Sequence, residues 1–270
     1  MKLLSPPVPD EEIMISKLRG FPLHIEYDPH SYHGRQIYYF GRYEPCVCLF
    51  LGKHLKRSMT FLDIGANYGL HTIIAAHAVG KEGHVISFEP QQKLAAMVKH
   101  NSDINNFSNI CIQQIGLSDQ DQESTLYHPS TTNDGQAALK ILDHEKSMHT
   151  ESVLVRRLDN VLSEMGVSHV DGLKIDIEGA ELRALFGASN LLSSPNPPEF
   201  ILYECIDDHL KRFSDSSLKL CSFLSEHGYS IWYSRRGVWH KVDNMAACGA
   251  DGYAADMLAL RKGSQLDPNS

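Results

Sequence analysis

The sequence predicts an α/β fold in which a doubly wound, mostly parallel sheet is covered by helices on both faces. From residue 60 onward, short apolar segments alternate with helical segments. A turn that contains two glycines separates the first apolar segment from the first helix. Such alternation favours a parallel sheet that is buried on both faces. A chain of 270 residues is long enough to bury this core without disulfides.

Seven strands are predicted in the region that shows this alternation. In chain order they are residues 60–64, 84–88, 109–115, 172–177, 200–203, 229–233 and 255–260. The predicted helices are residues 70–79, residues 91–105, a helix that begins at 180, and residues 214–227. No helical pattern separates the last two strands. Because strands joined without a crossover helix pair antiparallel, we expect the sheet to end in an antiparallel strand.

Residues 1–58 are predicted to form an N-terminal extension of three elements. Asp10 precedes apolar residues at helical spacing, which predicts a short capped helix. Residues 23–27 and 36–40 are predicted to be the strands of a hairpin, because turn signals lie between them. A helix over residues 45–55 is expected to link this hairpin to the main domain.

The main domain is predicted to span residues 59–262. Residues 116–170 are less regular than the rest and form a predicted insertion, in which residues 124–128 and 152–155 are candidate strands. Residues 263–270 are expected to be a disordered tail.

The composition argues against several classes of protein. Lysine and arginine number 25 and aspartate and glutamate 33, so the formal net charge is −8. We therefore expect no nucleic-acid partner, because phosphate binding needs a basic surface. We expect no membrane span, because no run of about 18 apolar residues occurs. The six cysteines form no C-x-x-C pair and are interpreted as reduced thiols of a cytoplasmic protein.

A candidate ligand-binding turn follows the first strand, with the sequence Asp-Ile-Gly-Ala-Asn-Tyr-Gly over residues 63–69. Gly65 and Gly69 permit a tight turn and a close approach of the backbone to a ligand. The turn lacks the G-x-G-x-x-G pattern of dinucleotide sites. The carboxylate of Asp63 would repel a pyrophosphate but suits a cation. This residue favours S-adenosylmethionine, which carries a positive sulfur, over a nicotinamide cofactor.

Glu89 ends the second strand, twenty residues after Gly69. An acid at this spacing commonly accepts hydrogen bonds from ribose hydroxyls. Asp63 and Glu89 could instead be ordinary polar residues at strand ends, but their joint spacing favours a nucleoside site.

Three charged residues follow one another at every second position of the fourth strand: Lys174, Asp176 and Glu178. Because side chains alternate along a strand, all three are predicted to lie on one face. If the fourth strand lies beside the first, they reach the crevice where doubly wound folds bind ligands. The alternative is a structural ion pair of Lys174 with one carboxylate.

Four motifs together resemble the FkbM-type methyltransferases. In chain order they are residues 63–69, Phe88-Glu89-Pro90, Arg157-Leu158-Asp159 and residues 174–181. The resemblance extends from about Tyr43 to Leu260. It implies the Rossmann-like class I methyltransferase fold, whose last strand is antiparallel. It also implies methyl transfer from S-adenosylmethionine to a hydroxyl oxygen of a small-molecule acceptor, often a sugar or a natural product.

The resemblance also implies a role for each matching residue. The methionine end of the cofactor would be surrounded by Asp63, Gly65, Asn67 and Gly69. Glu89 would hold the ribose, and Ser118 and Asp119 would lie near the adenine. Asp176 and Glu178 would lie near the transferred methyl group, with Lys174 as their electrostatic partner and Glu204 as a further catalytic candidate.

The base that activates the acceptor hydroxyl is left open by the sequence. Asp176, Glu178 and Glu204 are candidates, and His71 and His209 are weaker ones. A magnesium ion held by a set of carboxylates that includes Asp207 is a further possibility, although no metal ligand is assigned. Two other functions remain open. They are a non-catalytic module that binds S-adenosylmethionine and, less favoured, a nicotinamide-dependent oxidoreductase.

Overall fold

The computed structural model describes residues 7–8, 10–129, 137–142, 144–145, 147–245, 248 and 256–270. Over these residues the strands are β1 (Met14–Lys17), β2 (His24–Tyr27), β3 (Thr60–Ile64), β4 (His84–Phe88), β5 (Ile110–Gln113), β6 (Gly116–Leu117), β7 (Gln122–Pro129), β8 (Ser147–Arg156), β9 (Gly172–Ile175), β10 (Phe200–Glu204), β11 (Tyr229–Arg235), β12 (Val238–Lys241) and β13 (Asp256–Arg261). The α-helices are α1 (Tyr32–Phe40), α2 (Pro45–His54), α3 (Leu70–Val79), α4 (Gln92–Ile104), α5 (Leu158–Glu164), α6 (Glu181–Phe186), α7 (Ser189–Leu192), α8 (Asp207–Leu210) and α9 (Ser217–Glu226).

The central sheet has eight strands in the order β12-β11-β13-β10-β9-β3-β4-β5. The five neighbouring strands β5, β4, β3, β9 and β10 run parallel, as predicted. β13 enters antiparallel between β10 and β11, which confirms the antiparallel end of the sheet. β9 lies beside β3, with Lys174 opposite Asp63. β12 was not predicted, and it follows β11 through a tight turn in which Arg236 and Gly237 both have positive φ.

Both faces of the sheet are buried, because successive side chains of each strand enter different apolar cores. Phe61 and Val85 pack with α2 and α3 on one face. Leu62 and Ile86 pack with α5, α6 and α9 on the other face. This two-sided burial explains why the central strands are nearly continuous apolar segments.

The predicted insertion forms a second, three-stranded sheet in the order β6-β8-β7. The two candidate strands of the sequence analysis lie within β7 and β8, which pair antiparallel. Residues 130–136 between them lie outside the described part of the chain. Leu126 of β7 is buried, and it faces the cavity described below.

The N-terminal extension differs from the prediction in two elements. The expected helix after Asp10 is the strand β1, which pairs antiparallel with β2 and exposes alternate side chains. Residues 36–40, expected as a strand, belong to helix α1. The hydroxyl of Ser31 accepts a hydrogen bond from Gly34 N and caps this helix, and Gly41 ends it in the left-handed conformation.

The linking helix agrees with the prediction, whereas the C-terminal tail does not. Helix α2 starts with Pro45 in its first turn and agrees with the predicted linking helix. The tail was expected to be disordered, but Asn269 is tied to the sheet edge by two hydrogen bonds of 2.8 Å with the backbone of Trp239. Of the helices in the described part of the chain, none combines the length and the apolar character that a membrane span requires.

Candidate active site

A cavity of about 1030 Å³, counting its open mouth, lies at the carboxyl ends of β3, β4, β9 and β10. This is the edge at which doubly wound sheets bind ligands. Several predicted site residues line it together: Gly65, Asn67, Glu89, Lys174, Asp176, Glu178 and Glu204. The inserted sheet supplies one further wall, and helix α1 supplies another that the sequence analysis did not predict.

The turn after β3 passes tightly between two neighbouring strands. Gly65 has φ 82° and donates a backbone hydrogen bond to the carbonyl of Phe88. A side chain at Gly65 would place its Cβ 1.9 Å from the carbonyl oxygen of Asp176. Only glycine therefore fits at this position. Gly69 has φ 84° and immediately precedes α3. A Cβ at Gly69 would lie against Val98 and would not face the cavity.

Asp63 lies beneath this turn and does not line the cavity. It is fully buried, and its Oδ2 accepts a hydrogen bond of 2.5 Å from the Thr72 hydroxyl. Burial raises the pKa of Asp63 above its ordinary value, although Lys174 and Thr72 oppose this shift. The predicted role of Asp63 beside the methionine end is thus not matched by a direct contact with the cavity. Its carboxylate instead holds the first turn of α3 onto β3.

Glu89 connects the end of β4 to the turn. One oxygen of its carboxylate accepts from Asn67 N at 2.9 Å, and the other accepts from Gln91 N at 3.0 Å. Each oxygen retains a second acceptor position for a ligand hydroxyl. Burial raises the pKa of Glu89 to about 7, against the two backbone hydrogen bonds.

Lys174 and Asp176 form an ion pair in the wall of the cavity. The distance from Nζ to Oδ2 is 2.9 Å, and the lysine side chain is only 5% exposed. Burial acts to lower the pKa of Lys174, but Asp176, Glu44 and Asp63 raise it above its ordinary value. Burial acts to raise the pKa of Asp176, but the ammonium group lowers it below its ordinary value. Both groups are therefore charged at neutral pH.

Two further acids, which the sequence analysis missed, surround Lys174. Glu44 precedes α2 with φ 44°, and Asp256 begins β13; both line a small pocket behind the ion pair. Burial raises the pKa of Glu44 well above its ordinary value, and burial and Asp176 raise the pKa of Asp256 to about 6. The only signal in the sequence was the position of Glu44 beside Pro45, ahead of the first strand of the domain.

Glu178 and Glu204 share a histidine at the rim of the cavity. The Nδ1 of His209 lies 3.2 Å from Glu178 and 3.0 Å from Glu204. Arg212 lies 3.6 Å from the Glu178 carboxylate. Burial and the neighbouring Glu204 raise the pKa of Glu178 to about 8. Burial and Asp176 raise the pKa of Glu204 well above its ordinary value.

Among the described residues, the cluster of Glu178, Glu204 and His209 is the group that could hold a metal ion. One donor atom from each of Glu178, Glu204 and His209 lies within 4.8 Å of the others. Asp207, which the sequence analysis included among possible ligands, instead accepts a hydrogen bond from Ser217 N at 2.7 Å. Asp207 thus binds the first residue of α9, whose N-cap is Ser216, and does not belong to the cluster.

Ser118 and Asp119 were expected near the adenine, but the structure does not bring them to the cavity. Ser118 donates to Asp119, whose second carboxylate oxygen lies 3.4 Å from Arg183. Arg157 donates to the backbone carbonyl of Asp119 at 2.8 Å. Because the chain turns towards these arginines after β6, the cavity wall there is formed by Gly116 and Leu117.

Helix α1 contributes a wall that the sequence analysis missed, because it assigned residues 36–40 to a strand and His33 to the turn before it. His33 and Ile37 line the cavity together with Tyr43 and Tyr68. The imidazole of His33 lies 4.5 Å from the Tyr43 ring, and burial lowers its pKa below the ordinary value. His71 also lines the cavity, and it lies 3.5 Å from Glu44.

The strand order, the antiparallel strand next to β10 and the cavity at the carboxyl ends define the class I S-adenosylmethionine-dependent methyltransferase fold. Residues 63–231 match the Methyltransferase FkbM domain, and the chain belongs to this family. The resemblance found in the sequence is therefore confirmed.

Two curated relatives are similar to parts of the chain. It is 28% identical over 204 residues to AMB antimetabolite synthetase AmbE of Pseudomonas aeruginosa. This match covers 63% of the present chain and 9% of the synthetase. It is 28% identical over 142 residues to Methyltransferase 1 of Beauveria bassiana, which covers 47% of this chain and 57% of that protein. The matched part is thus less than two thirds of the length of either relative.

The chain also shows distant similarity to solved structures of methyltransferases. One is a SAM-dependent O-methyltransferase from Thermotoga maritima, with 15% identity, a TM-score of 0.46, and coverage of 86% of this chain and 72% of that one. Another is precorrin-6y C5,15-methyltransferase from Geobacter metallireducens, with 13% identity and a TM-score of 0.44. The match covers 80% of this chain and 87% of that one.

Proposed function

We propose that this protein transfers a methyl group from S-adenosylmethionine to a hydroxyl oxygen of a small-molecule acceptor, a sugar or a natural product. One observation carries the proposal. A single cavity joins the glycine turn and Glu89, which suit a nucleoside, to the charged ends of β9 and β10. Family membership supports methyl transfer, and the carboxylates beside the cavity support a hydroxyl acceptor.

The charges around the cavity support S-adenosylmethionine as the cofactor. Its described lining residues include four acids, Glu89, Asp176, Glu178 and Glu204. At neutral pH, Asp176 is ionised and Glu89, with a pKa of about 7, is about half ionised. Lys174 also lines the cavity, but its positive ammonium group is already paired with Asp176. An anionic pyrophosphate would meet unfavourable charge here, whereas a sulfonium would be stabilised. This argues against a nicotinamide-dependent oxidoreductase.

The proposed positions of the cofactor follow from these contacts. Glu89 would accept the ribose hydroxyls, and the turn at Gly65 and Asn67 would lie against the methionine end. The side-chain amide of Asn67 lies 3.5 Å from Nδ1 of His33, and its buried Oδ1 has no hydrogen-bond partner among the described residues. Leu94, Leu117 and Leu126 offer apolar contacts for the adenine.

Catalysis would rest mainly on positioning. When bound, S-adenosylmethionine supplies an electrophilic methyl group on a positive sulfur. The protein has to hold an acceptor oxygen in line with that methyl group at roughly 3 Å, which can supply much of the rate enhancement. The carboxylates of Glu178 and Glu204 lie at the cavity wall and can accept hydrogen bonds from a hydroxylated acceptor.

The decisive experiment is a methyl-transfer assay with a panel of hydroxyl-bearing acceptors. Formation of S-adenosylhomocysteine should depend on the acceptor, and mass spectrometry should locate the new methyl group on oxygen. Binding of S-adenosylhomocysteine without turnover on any acceptor would favour a non-catalytic module. Methylation at nitrogen or carbon alone would contradict the choice of oxygen but leave methyl transfer intact.

A further inference from the structure

We infer that His33, on helix α1 of the N-terminal extension, is the base that removes the proton from the acceptor hydroxyl. This inference rests on the proposed methyl transfer to oxygen. It also gives the extension a catalytic role, which the sequence analysis did not predict.

His33 lies at the right place in the cavity. It lines the same wall as Asn67 of the cofactor turn and Asp176 at the end of β9. Its Nδ1 is 3.5 Å from the side-chain amide nitrogen of Asn67. A group in this position lies between the proposed methionine end of the cofactor and the acids that face the acceptor.

Aromatic rings hold the imidazole in a defined orientation. The ring of Tyr43 packs edge-on at 4.5 Å between centroids, and those of Tyr32 and Tyr68 lie at 5.7 and 6.3 Å. Such contacts restrict the rotation of the imidazole, as a base aimed at one hydroxyl requires. The rings of Tyr43 and Tyr68, which line the cavity, also give the acceptor an apolar surface that suits the carbon face of a sugar or another ring.

The Asn67 amide can set the tautomer of the imidazole. Rotation of the amide exchanges its oxygen and nitrogen, and the Oδ1 atom is otherwise buried without a partner in the described structure. With Oδ1 turned towards the ring, Nδ1 donates its proton to Asn67, and Nε2 carries the free lone pair. In the described part of the chain, no hydrogen bond to Nε2 competes with an acceptor.

The other candidate bases are less available. Asp176 accepts a hydrogen bond from Lys174, and Glu178 and Glu204 share His209. Glu178, with its pKa raised to about 8, is largely protonated at neutral pH. His33 is largely neutral there, because burial lowers its pKa. The charged and titratable groups near His33 are Asp176 and Lys174 on β9, His71 on α3, and Tyr43 and Glu44 before α2.

The proton balance of the step is simple. The bond between the acceptor oxygen and the methyl carbon forms while the sulfur–methyl bond breaks and leaves its electron pair on sulfur. The hydroxyl proton passes to Nε2 of His33. The resulting imidazolium then returns this proton to water through the open mouth of the cavity.

The test compares His33→Gln and His33→Asn with the control His30→Gln, an exposed histidine of the preceding loop. We expect kcat to fall on the order of 10²-fold in both His33 variants, with S-adenosylhomocysteine affinity nearly unchanged and the control fully active. In the unmutated protein, kcat should rise with pH through a midpoint below 6.5, and an imidazole NMR signal absent from His33→Gln should titrate at the same midpoint. Added imidazole should partly restore turnover in His33→Ala.

Each other result has a definite meaning. Full kcat in a folded His33→Gln variant would overturn the inference and leave the proposed function standing. A large loss of cofactor affinity with kcat unchanged at saturation would also overturn it, because His33 would then bind the cofactor. Absence of turnover by the unmutated protein on every hydroxyl acceptor would contradict the proposed function and the inference together.

Discussion

The ammonium nitrogen of Lys174 lies 2.9 Å from a carboxylate oxygen of Asp176, at the carboxyl end of a strand in the middle of the sheet. This lysine also interacts with Glu44 and Asp63, so it compensates the charge of acids on three different elements. The structural ion pair that the sequence left as an alternative is therefore present. It lines the cavity, so it also sets the charge that a ligand meets.

Replacing this lysine should destabilise the protein strongly. Lys174→Met leaves buried carboxylates without a counter-charge, and removal of one partner of a buried pair costs about 3–5 kcal/mol. Urea denaturation should show a loss of this order in the free energy of unfolding. The double variant Lys174→Met with Asp176→Asn should recover part of it, because the unpaired charge is then removed. Equal stability of the single variant and the unmutated protein would contradict the pairing.

Cofactor choice is the second prediction. S-adenosylmethionine and S-adenosylhomocysteine should bind, and NAD should not, because the lining carboxylates disfavour a pyrophosphate. Calorimetric titration with all three compounds would measure this. Tight binding of NAD without binding of S-adenosylhomocysteine would rule out the proposed function.

Glu89 gives a prediction with a defined pH dependence. Its pKa of about 7 means that the carboxylate is ionised above this pH and protonated below it. Affinity for S-adenosylhomocysteine should therefore rise as the pH increases from 6 to 8, since the ionised form accepts ribose hydroxyls better. Glu89→Gln should weaken binding at pH 8 by about tenfold or more and should remove this pH dependence. A circular dichroism spectrum would verify folding, and unchanged affinity would exclude Glu89 as the ribose ligand.

Metal dependence can be decided with a chelator. We expect EDTA to leave turnover unchanged, because the Arg212 guanidinium already lies 3.6 Å from Glu178 and the His209 imidazole lies within 3.2 Å of both Glu178 and Glu204. Loss of turnover in EDTA and its recovery with Mg²⁺ would instead assign a metal to this cluster. Glu204→Gln should then lose the recovery by Mg²⁺.

The turn at Gly65 allows a matched test of backbone packing. Gly65→Ala and Gly166→Ala both place a side chain at positive φ, which costs roughly 1–2 kcal/mol. Only the first would also clash, since its Cβ would lie 1.9 Å from the Asp176 carbonyl, whereas Gly166 has no neighbour within 4 Å. Gly65→Ala should therefore be clearly less stable in urea and should lose cofactor binding. Similar stabilities of the two variants would contradict the tight packing of this turn.

The accuracy of the sequence prediction followed the strength of each local pattern. The strands of the parallel sheet are long apolar segments buried on both faces, so their positions were predicted well. The N-terminal extension has short segments of mixed polarity, which suit a helix or a strand equally. There, the capping of α1 by Ser31 and the pairing of β1 with β2 decided the outcome.

By itself, the sequence determined the family, the alternation of strands and helices, and the charged and glycine residues at the ends of β3, β4 and β9. These features are encoded locally, in apolar periodicity and in short motifs. Only the tertiary structure decided which side chains meet. It buried Asp63 under the turn, took Ser118 and Asp119 to an arginine network, and brought His33 to the cavity. Such contacts join residues far apart in the chain, and their positions depend on how helices pack across the sheet, which no local pattern specifies.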